Sequence, residues 1–337
     1  MKQVASAMAI ATTLLVVAPA LADDVIHSGV CGASALVSLD EAHFALASDE
    51  GNRIRVYPVA GGDAVATLDL STHLGVRGEG GDVEADLEGA TRLGETSYWI
   101  GSHGRSKLGK YRAPRHVLFA TRFERDGKVW RGRPYGQVYS GLAEDLSGHE
   151  KLVGLGLAES IRIDLKVRAD ELGPKRAGLN VEGLAITPEG ELLIGLRNPL
   201  ADGGRAILVP MSNPEAVIGA GAAARYGDPI LLDLGGLGIR SIEHVPSESG
   251  SGAYYLLAGP KSGGAIVLYR WSGAANEQAQ RLGEVDGLNA EGLSATTDGR
   301  GLLLVSDDGT RRVGGVECKD LEPSRRLFRS RRVELGP

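Results

Sequence analysis

Apolar positions along this chain fall into short runs bounded by turn residues, with no sustained helical period. One unit recurs: a short apolar run, a tight turn such as Pro188-Glu189-Gly190 or Thr297-Asp298-Gly299, then a second apolar run. That pattern predicts a strand, a hairpin turn and an antiparallel strand. The repeat is also visible in its residues. Asp86-Leu87-Glu88-Gly89-Ala90 returns as Asn180-Val181-Glu182-Gly183-Leu184 and as Asn289-Ala290-Glu291-Gly292-Leu293. The first two copies align without a gap through Tyr98-Trp99-Ile100-Gly101 and Leu192-Leu193-Ile194-Gly195. Degenerate copies start at Ser241-Ile242-Glu243 and at Ala33-Ser34-Ala35-Leu36, the latter with Ser34 where the others carry Glu.

Two more strand-like runs follow each pair. The third strands are expected at Arg53–Val59, Val117–Phe123, Ala206–Met211, Ala265–Trp271 and Arg326–Val333. The fourth strands are expected at Ala64–Leu70, Ile161–Val167, Ile230–Leu234 and Gln280–Val285. Four-stranded units repeated around a ring are propeller blades. The expected fold is therefore all-β, a single β-propeller with five blades of four strands, its last blade closed by an N-terminal strand, Val25–Val30. Glu88 and Glu182 are 94 residues apart, against 48 to 61 between the other repeats, so an inserted loop with some helix is expected at Leu142–Leu157. A sixth blade hidden there is the alternative.

Composition agrees. Glycine supplies 49 of 337 residues, about twice its usual share, which fits many turns and excludes a mostly helical chain. The net charge of −6 argues against a nucleic-acid binder that relies on an overall basic field. The basic run Arg325–Arg332 lacks interleaved stacking aromatics and is read as strand-surface charge. Residues 1–22 have a positive Lys2, an apolar stretch from Val4 to Val17 and an Ala20-Leu21-Ala22 cleavage site, the plan of a secretory signal peptide. Residues 23–337 would then form the propeller, periplasmic or secreted, with no later membrane span, and a monomer. Cys31 and Cys318, an even pair in an oxidising compartment near the expected ring closure, should form a disulfide.

Innermost strands of a propeller all begin at one mouth of its channel, so Glu88, Glu182, Glu243 and Glu291 should ring that mouth with Ser34. Asp49, His103, Arg197, Asp307 and Asp308, at the ends of second strands, should lie nearby. Converging carboxylates need a cation, basic partners or raised pKa values. Hard oxygen donors favour Ca²⁺ or Mg²⁺, with Glu88, Glu182, Glu291 and Asp307 as candidate ligands. Otherwise the glutamates staple neighbouring blades through backbone hydrogen bonds. The connection Ser102-His103-Gly104-Arg105-Ser106-Lys107, followed by Lys110, Arg112, Arg115 and His116, is basic enough to hold an anion. His103 is a candidate general acid or base. No nucleophile elbow, zinc-protease helix or phosphate-binding loop is present in the sequence.

The stretch Asp86–Phe123, DLEGATRLGETSYWIGSHGRSKLGKYRAPRHVLFATRF, resembles the signature of a bacterial family catalogued only as a domain of unknown function, whose members are presumed secreted β-propellers. The repeated Glu-Gly-Leu segments are similar, more distantly, to those of the phytase-like esterase propellers. The nearer resemblance implies fold and address and leaves activity open. Two functions follow as expectations. One is a rigid propeller presenting an acidic mouth and a basic loop (Glu88, Glu182, Glu243, Glu291, His103, Arg105, Lys107, Arg197) to a small polar or anionic ligand, a cation or a protein partner. The other is a cation-dependent hydrolase of phosphoesters or other esters.

Overall fold

A computed structural model describes residues 23–76, 83–247 and 250–335, so the expected leader at 1–22 lies outside the described residues. Strand β1 (Val25–Ser28) comes first and waits for a partner at the far end of the chain. Blade 1 is β2 (Ala33–Asp40), β3 (His43–Ser48), β4 (Arg53–Pro58) and β5 (Ala66–Asp69). Blade 2 is β6 (Leu87–Leu93), β7 (Thr96–Gly101), β8 (Leu118–Asp126) and β9 (Val129–Tyr139). Helices α1 (Leu142–Gly148) and α2 (Leu157–Ile161) follow, inside the long interval between repeats. Blade 3 is β10 (Asn180–Ile186), β11 (Leu192–Asn198), β12 (Ala206–Met211) and, after α3 (Pro214–Ala220), β13 (Ile230–Leu232). Blade 4 is β14 (Gly238–Ser247), β15 (Gly250–Gly259), β16 (Val267–Trp271) and β17 (Gln280–Glu284).

Blade 5 takes β18 (Ala290–Ala295) and β19 (Gly301–Ser306), then a small hairpin, β20 (Arg312–Val313) and β21 (Val316–Glu317), before β22 (Leu327–Glu334). Its fourth strand is β1, antiparallel to β22 with Val25 opposite Ser330. The innermost strands pack in a closed circuit, β2 beside β6, β6 beside β10, β10 beside β14, β14 beside β18 and β18 beside β2. Five hydrophobic clusters fill the five junctions between blades. This layering explains the apolar pattern. A second strand is covered on both faces, and all seven residues of β11 are buried. The outer strand β5 alternates between half-buried and exposed residues, as an edge with one wet face should.

Two sequence expectations change. The fourth strand of blade 2 is β9, not Ile161–Val167; that segment runs from the end of α2 into turns. The long interval holds no sixth blade. Leu142, Leu146, Leu152, Leu157 and Ile161 instead cap the junction between blades 2 and 3.

The ring is locked where the chain ends meet. Cys31 and Cys318 form a disulfide with Cα atoms 5.9 Å apart. The run expected as surface charge is partly internal: Arg331 is buried, and its Nε donates to Asp24 Oδ1 at 2.7 Å. Arg329 reaches Asp24 Oδ2 at 3.0 Å and also pairs with buried Asp308. Asp24 at the head of β1 is thereby gripped by two arginines of β22.

Candidate functional site

Each of the five innermost strands breaks register with its neighbour at one residue near its start. These residues are Ser34 in β2, Glu88 in β6, Glu182 in β10, Arg240 in β14 and Glu291 in β18. A bulge leaves its extra residue unpaired and re-aims the side chain. Five bulges at one level therefore bring five side chains together around the axis. Glu88, Glu182 and Glu291 converge there as the repeat predicted. Glu243 does not. The fourth member is Arg240, and Glu243 lies three positions further along β14, opposite Tyr255.

The residue after each bulge explains the Glu-Gly pair. A Cβ on Gly89 would lie 2.9 Å from the Glu182 carbonyl oxygen, and one on Gly292 2.7 Å from that of Ser34. Glycine lets the next blade close in. In blade 4 the equivalent residue is Ser241, whose Oγ accepts from the Leu293 amide (3.2 Å). Ser34 staples in the expected way, donating to the Leu87 carbonyl at 2.6 Å.

The glutamates do not staple through backbone. Glu182 Oε1 accepts from Arg197 Nη1 and from Asn180 Nδ2, each at 2.6 Å. Arg240 pairs with Glu291 and lies 3.6 Å from Glu182 Oε2. Arg197 is held in turn by the Pro260 and Lys261 carbonyls, both 3.1 Å from its Nη2. Glu88 alone of the three makes no hydrogen bond or ion pair among the described residues. Burial pushes its pKa well above the usual carboxylate range, and the nearby Glu182, Asp86 and Asp49 push it further. Glu88 thus stands beside a carboxylate that Arg197 already holds. Among the described residues no three His, Cys, Asp or Glu side chains come close enough together to hold a metal ion. Of Glu88, Glu182, Glu291 and Asp307, Glu182 and Glu291 are paired with arginines.

Asp49 and Asp307 meet at the ring closure. Gly32 bridges to Asp307, and Asp49 lies so close that a Cβ on Gly32 would collide with its Oδ1. That oxygen is buried without a hydrogen-bond partner, and burial, with Asp307 and Asp86 nearby, raises the Asp49 pKa strongly. Asp86 pairs with Arg115 Nη1 at 2.6 Å. Asp86 and His103, on either side of the β6–β7 hairpin, both have left-handed backbones (φ 51° and 54°), unusual for residues with a Cβ.

The basic loop divides. Arg105 is a buried clamp, not an anion site: its guanidinium donates to the Gly109, Val167, Arg162 and Leu165 carbonyls and ties residues 162–167 to the loop. His103 is also buried. Its Nδ1 donates to the Gly101 carbonyl at 2.8 Å, leaving Nε2 as a bare lone pair without a partner. Burial lowers its pKa to about 4, and that of the adjacent His116 to about 3. Its ring meets His116 edge-on at 5.4 Å. Lys107 remains exposed. Lys175, which the sequence did not single out, is exposed on a loop whose Arg176 carbonyl accepts from Asn198 Nδ2 at 3.3 Å and Lys261 Nζ at 3.2 Å. Arg240 was legible in hindsight, because Gly238-Ile239-Arg240-Ser241 fits the repeat once Arg replaces Glu and Ser replaces Gly.

A family described as "Protein of unknown function (DUF3616)" matches residues 154–301, which bears out the nearer resemblance; the phytase-like likeness gains no support. No curated protein matches. Solved structures similar in fold include glutaminyl cyclase of Myxococcus xanthus, at 12% identity and TM-score 0.42 over 94% of this chain and 97% of that one. A putative oxidoreductase (glucose dehydrogenase) of Thermus thermophilus gives 16% and 0.44 over 93% and 100%. The PQQ-bound aldose sugar dehydrogenase of Streptomyces coelicolor gives 15% and 0.43 over 94% and 100%. At such identities and scores these likenesses carry nothing about chemistry.

Proposed function

We propose that this DUF3616-matching propeller is an extracytoplasmic binding protein whose channel mouth receives a small polar ligand. One observation carries the reading. Glu88 is placed by its bulge in a ring where the other acids have arginine partners, and it has none. Glu88 is half-buried, so its carboxyl, without a protein partner among the described residues, is left for a ligand to hydrogen-bond. The Cys31–Cys318 disulfide fits an oxidising compartment, and no helix among the described residues is long and apolar enough to cross a membrane. The hydrolase alternative lacks a comparable observation, since His103 is buried and its Nε2 has no hydrogen-bond partner.

The test is a thermal-shift screen of a small polar metabolite library, followed by calorimetric titration of the best compound. Binding should weaken at least tenfold in Glu88→Ala and stay unchanged in Arg281→Gln, on the exposed outer strand of blade 4. A hit of equal affinity in wild type and Glu88→Ala would remove the mouth from consideration.

A further inference from the structure

Two stretches outside the blade strands meet at the mouth end of blades 2 and 3: the β7–β8 connection (102–117) and the run before β10 (162–178). The first leaves blade 2 at the level of the bulges, since the Ser102 amide donates to the Asp86 carbonyl at 2.8 Å. The second is laid against it. Arg105 Nη1 donates to the Gly109 carbonyl at 3.2 Å and to the Val167 carbonyl at 3.0 Å, and the Ala169 amide donates to the Gly109 carbonyl at 3.1 Å. A Cβ on Gly109 would overlap the Ala169 carbonyl oxygen, so only glycine permits this approach.

Together these stretches carry ten Lys and Arg against three Asp and Glu, in a chain whose net charge is −6. Two of the three acids are taken by neighbouring arginines, Asp164 by Arg162 and Asp170 by Arg168. Lys107, Lys110, Lys166, Lys175 and Arg176 are exposed. Apolar exposure falls in the same place. Leu108 is 62% and Val167 64% exposed, more than any other large apolar side chain among the described residues except Val153. Each follows a lysine, as Lys107-Leu108 and Lys166-Val167, and the shared bonds of Arg105 make their backbones neighbours.

A single exposed aliphatic side chain is ordinary. Two of them, set side by side by a buried arginine within a basic patch on an acidic protein, fit a bilayer with anionic headgroups. Lysines meet the phosphates at headgroup level while the aliphatic tips enter the acyl boundary. Nucleic acid fits less well, because base stacking needs open aromatic faces, and Tyr111 is half-buried with Lys166 Nζ 4.0 Å from its ring centre. We propose that this patch docks the protein on a bilayer bearing anionic phospholipid, with Leu108 and Val167 inserted between headgroups and Lys107, Lys110 and Lys166 on their phosphates. Attachment is peripheral and turns the mouth end of the ring toward the membrane. It does not depend on the role of Glu88.

The experiment is vesicle flotation. Protein purified after export, with residues 1–22 removed, is mixed with vesicles of phosphatidylcholine alone or with about one-third phosphatidylglycerol, at low salt and at about 0.5 M salt. Partition onto the anionic vesicles should exceed that onto neutral ones at least tenfold and fall steeply at high salt. Leu108→Ser with Val167→Ser should weaken it several-fold at unchanged charge, and Lys107→Gln with Lys166→Gln should do the same. Val129→Ser, on the outer strand β9, should leave it unchanged. All five side chains are exposed, so melting temperatures should stay within a degree or two. Equal partition onto neutral and anionic vesicles, or none onto either, overturns the proposal. So does anionic binding that the Leu108/Val167 variant leaves intact. Retention on heparin or an oligonucleotide without vesicle binding assigns the patch to a soluble polyanion and likewise overturns it.

Discussion

Replacing Glu243 should stabilise the protein, and the effect should grow with pH. Glu243 is 9% exposed on the face of β14 that packs toward blade 5, beside Tyr255 and Val245. Its Oε2 has no partner, and burial alone holds its pKa well above the usual carboxylate range. The same position in the other blades carries Val37, Thr91, Ala185 and Ser294, so the junction accepts apolar or small neutral side chains. An unsatisfied buried polar group costs roughly 1–3 kcal/mol. Glu243→Met keeps most of the volume and should recover a gain in that range, about 1–3 kcal/mol at pH 7. Ionisation adds a second contribution. With the folded pKa above the unfolded value of 4.5, the native state holds the extra proton, so the favourable share is complete below pH 4.5 and is lost as pH rises through the folded pKa. Wild type should therefore lose up to about 1.4 kcal/mol per pH unit more than Glu243→Gln across that interval. Urea denaturation of wild type, Glu243→Gln and Glu243→Met between pH 5 and 9 measures both effects. Parallel pH curves for wild type and Glu243→Gln, or a Glu243→Met that is destabilised at every pH, would refute the reasoning.

Arg240→Met should destabilise by about 3–5 kcal/mol, read by the same denaturation assay, because it strands Glu291 and removes one neighbour of Glu182 in a buried setting. Arg105→Met removes a guanidinium held by four carbonyls, and limited proteolysis should then cut within residues 140–178 far faster than in wild type. Cys31→Ser with Cys318→Ser should lower the unfolding free energy, with roughly 5–6 kcal/mol as the chain-entropy ceiling for a link across 287 residues. On the acid side, His103 has its pKa depressed to about 4, so its contribution is intact above 6.5 and is lost as pH falls toward 4. His103→Asn, which tolerates the left-handed backbone, should flatten that limb in a pH-resolved melting series.

The sequence by itself determined the number and kind of building units. Strand periodicity, turn residues and a returning Glu-Gly pair are local properties, set by alternation, by φ preferences and by the room a missing Cβ leaves for the next blade. They were enough to place four of the five bulge residues, Ser34, Glu88, Glu182 and Glu291, and the strand Val25–Ser28 that closes the ring. They also anticipated the Cys31–Cys318 link. Tertiary structure decided which glutamate faces the axis. Moving along β14 by three residues exchanges Glu243 for Arg240, and only the pairing of Ser241 with Leu257 fixes that register. It also decided which charges neutralise each other. Arg105 looks like an anion hook in the loop sequence, yet the Val167 and Leu165 carbonyls, some 60 residues away, turn it into a clamp. Asp49 acquires its place only when ring closure sets it beside Gly32, which bridges to Asp307. Local residue type fixes how a segment bends and what it can bury; the partner of a charge depends on chain closure over tens or hundreds of residues, and no local pattern records it.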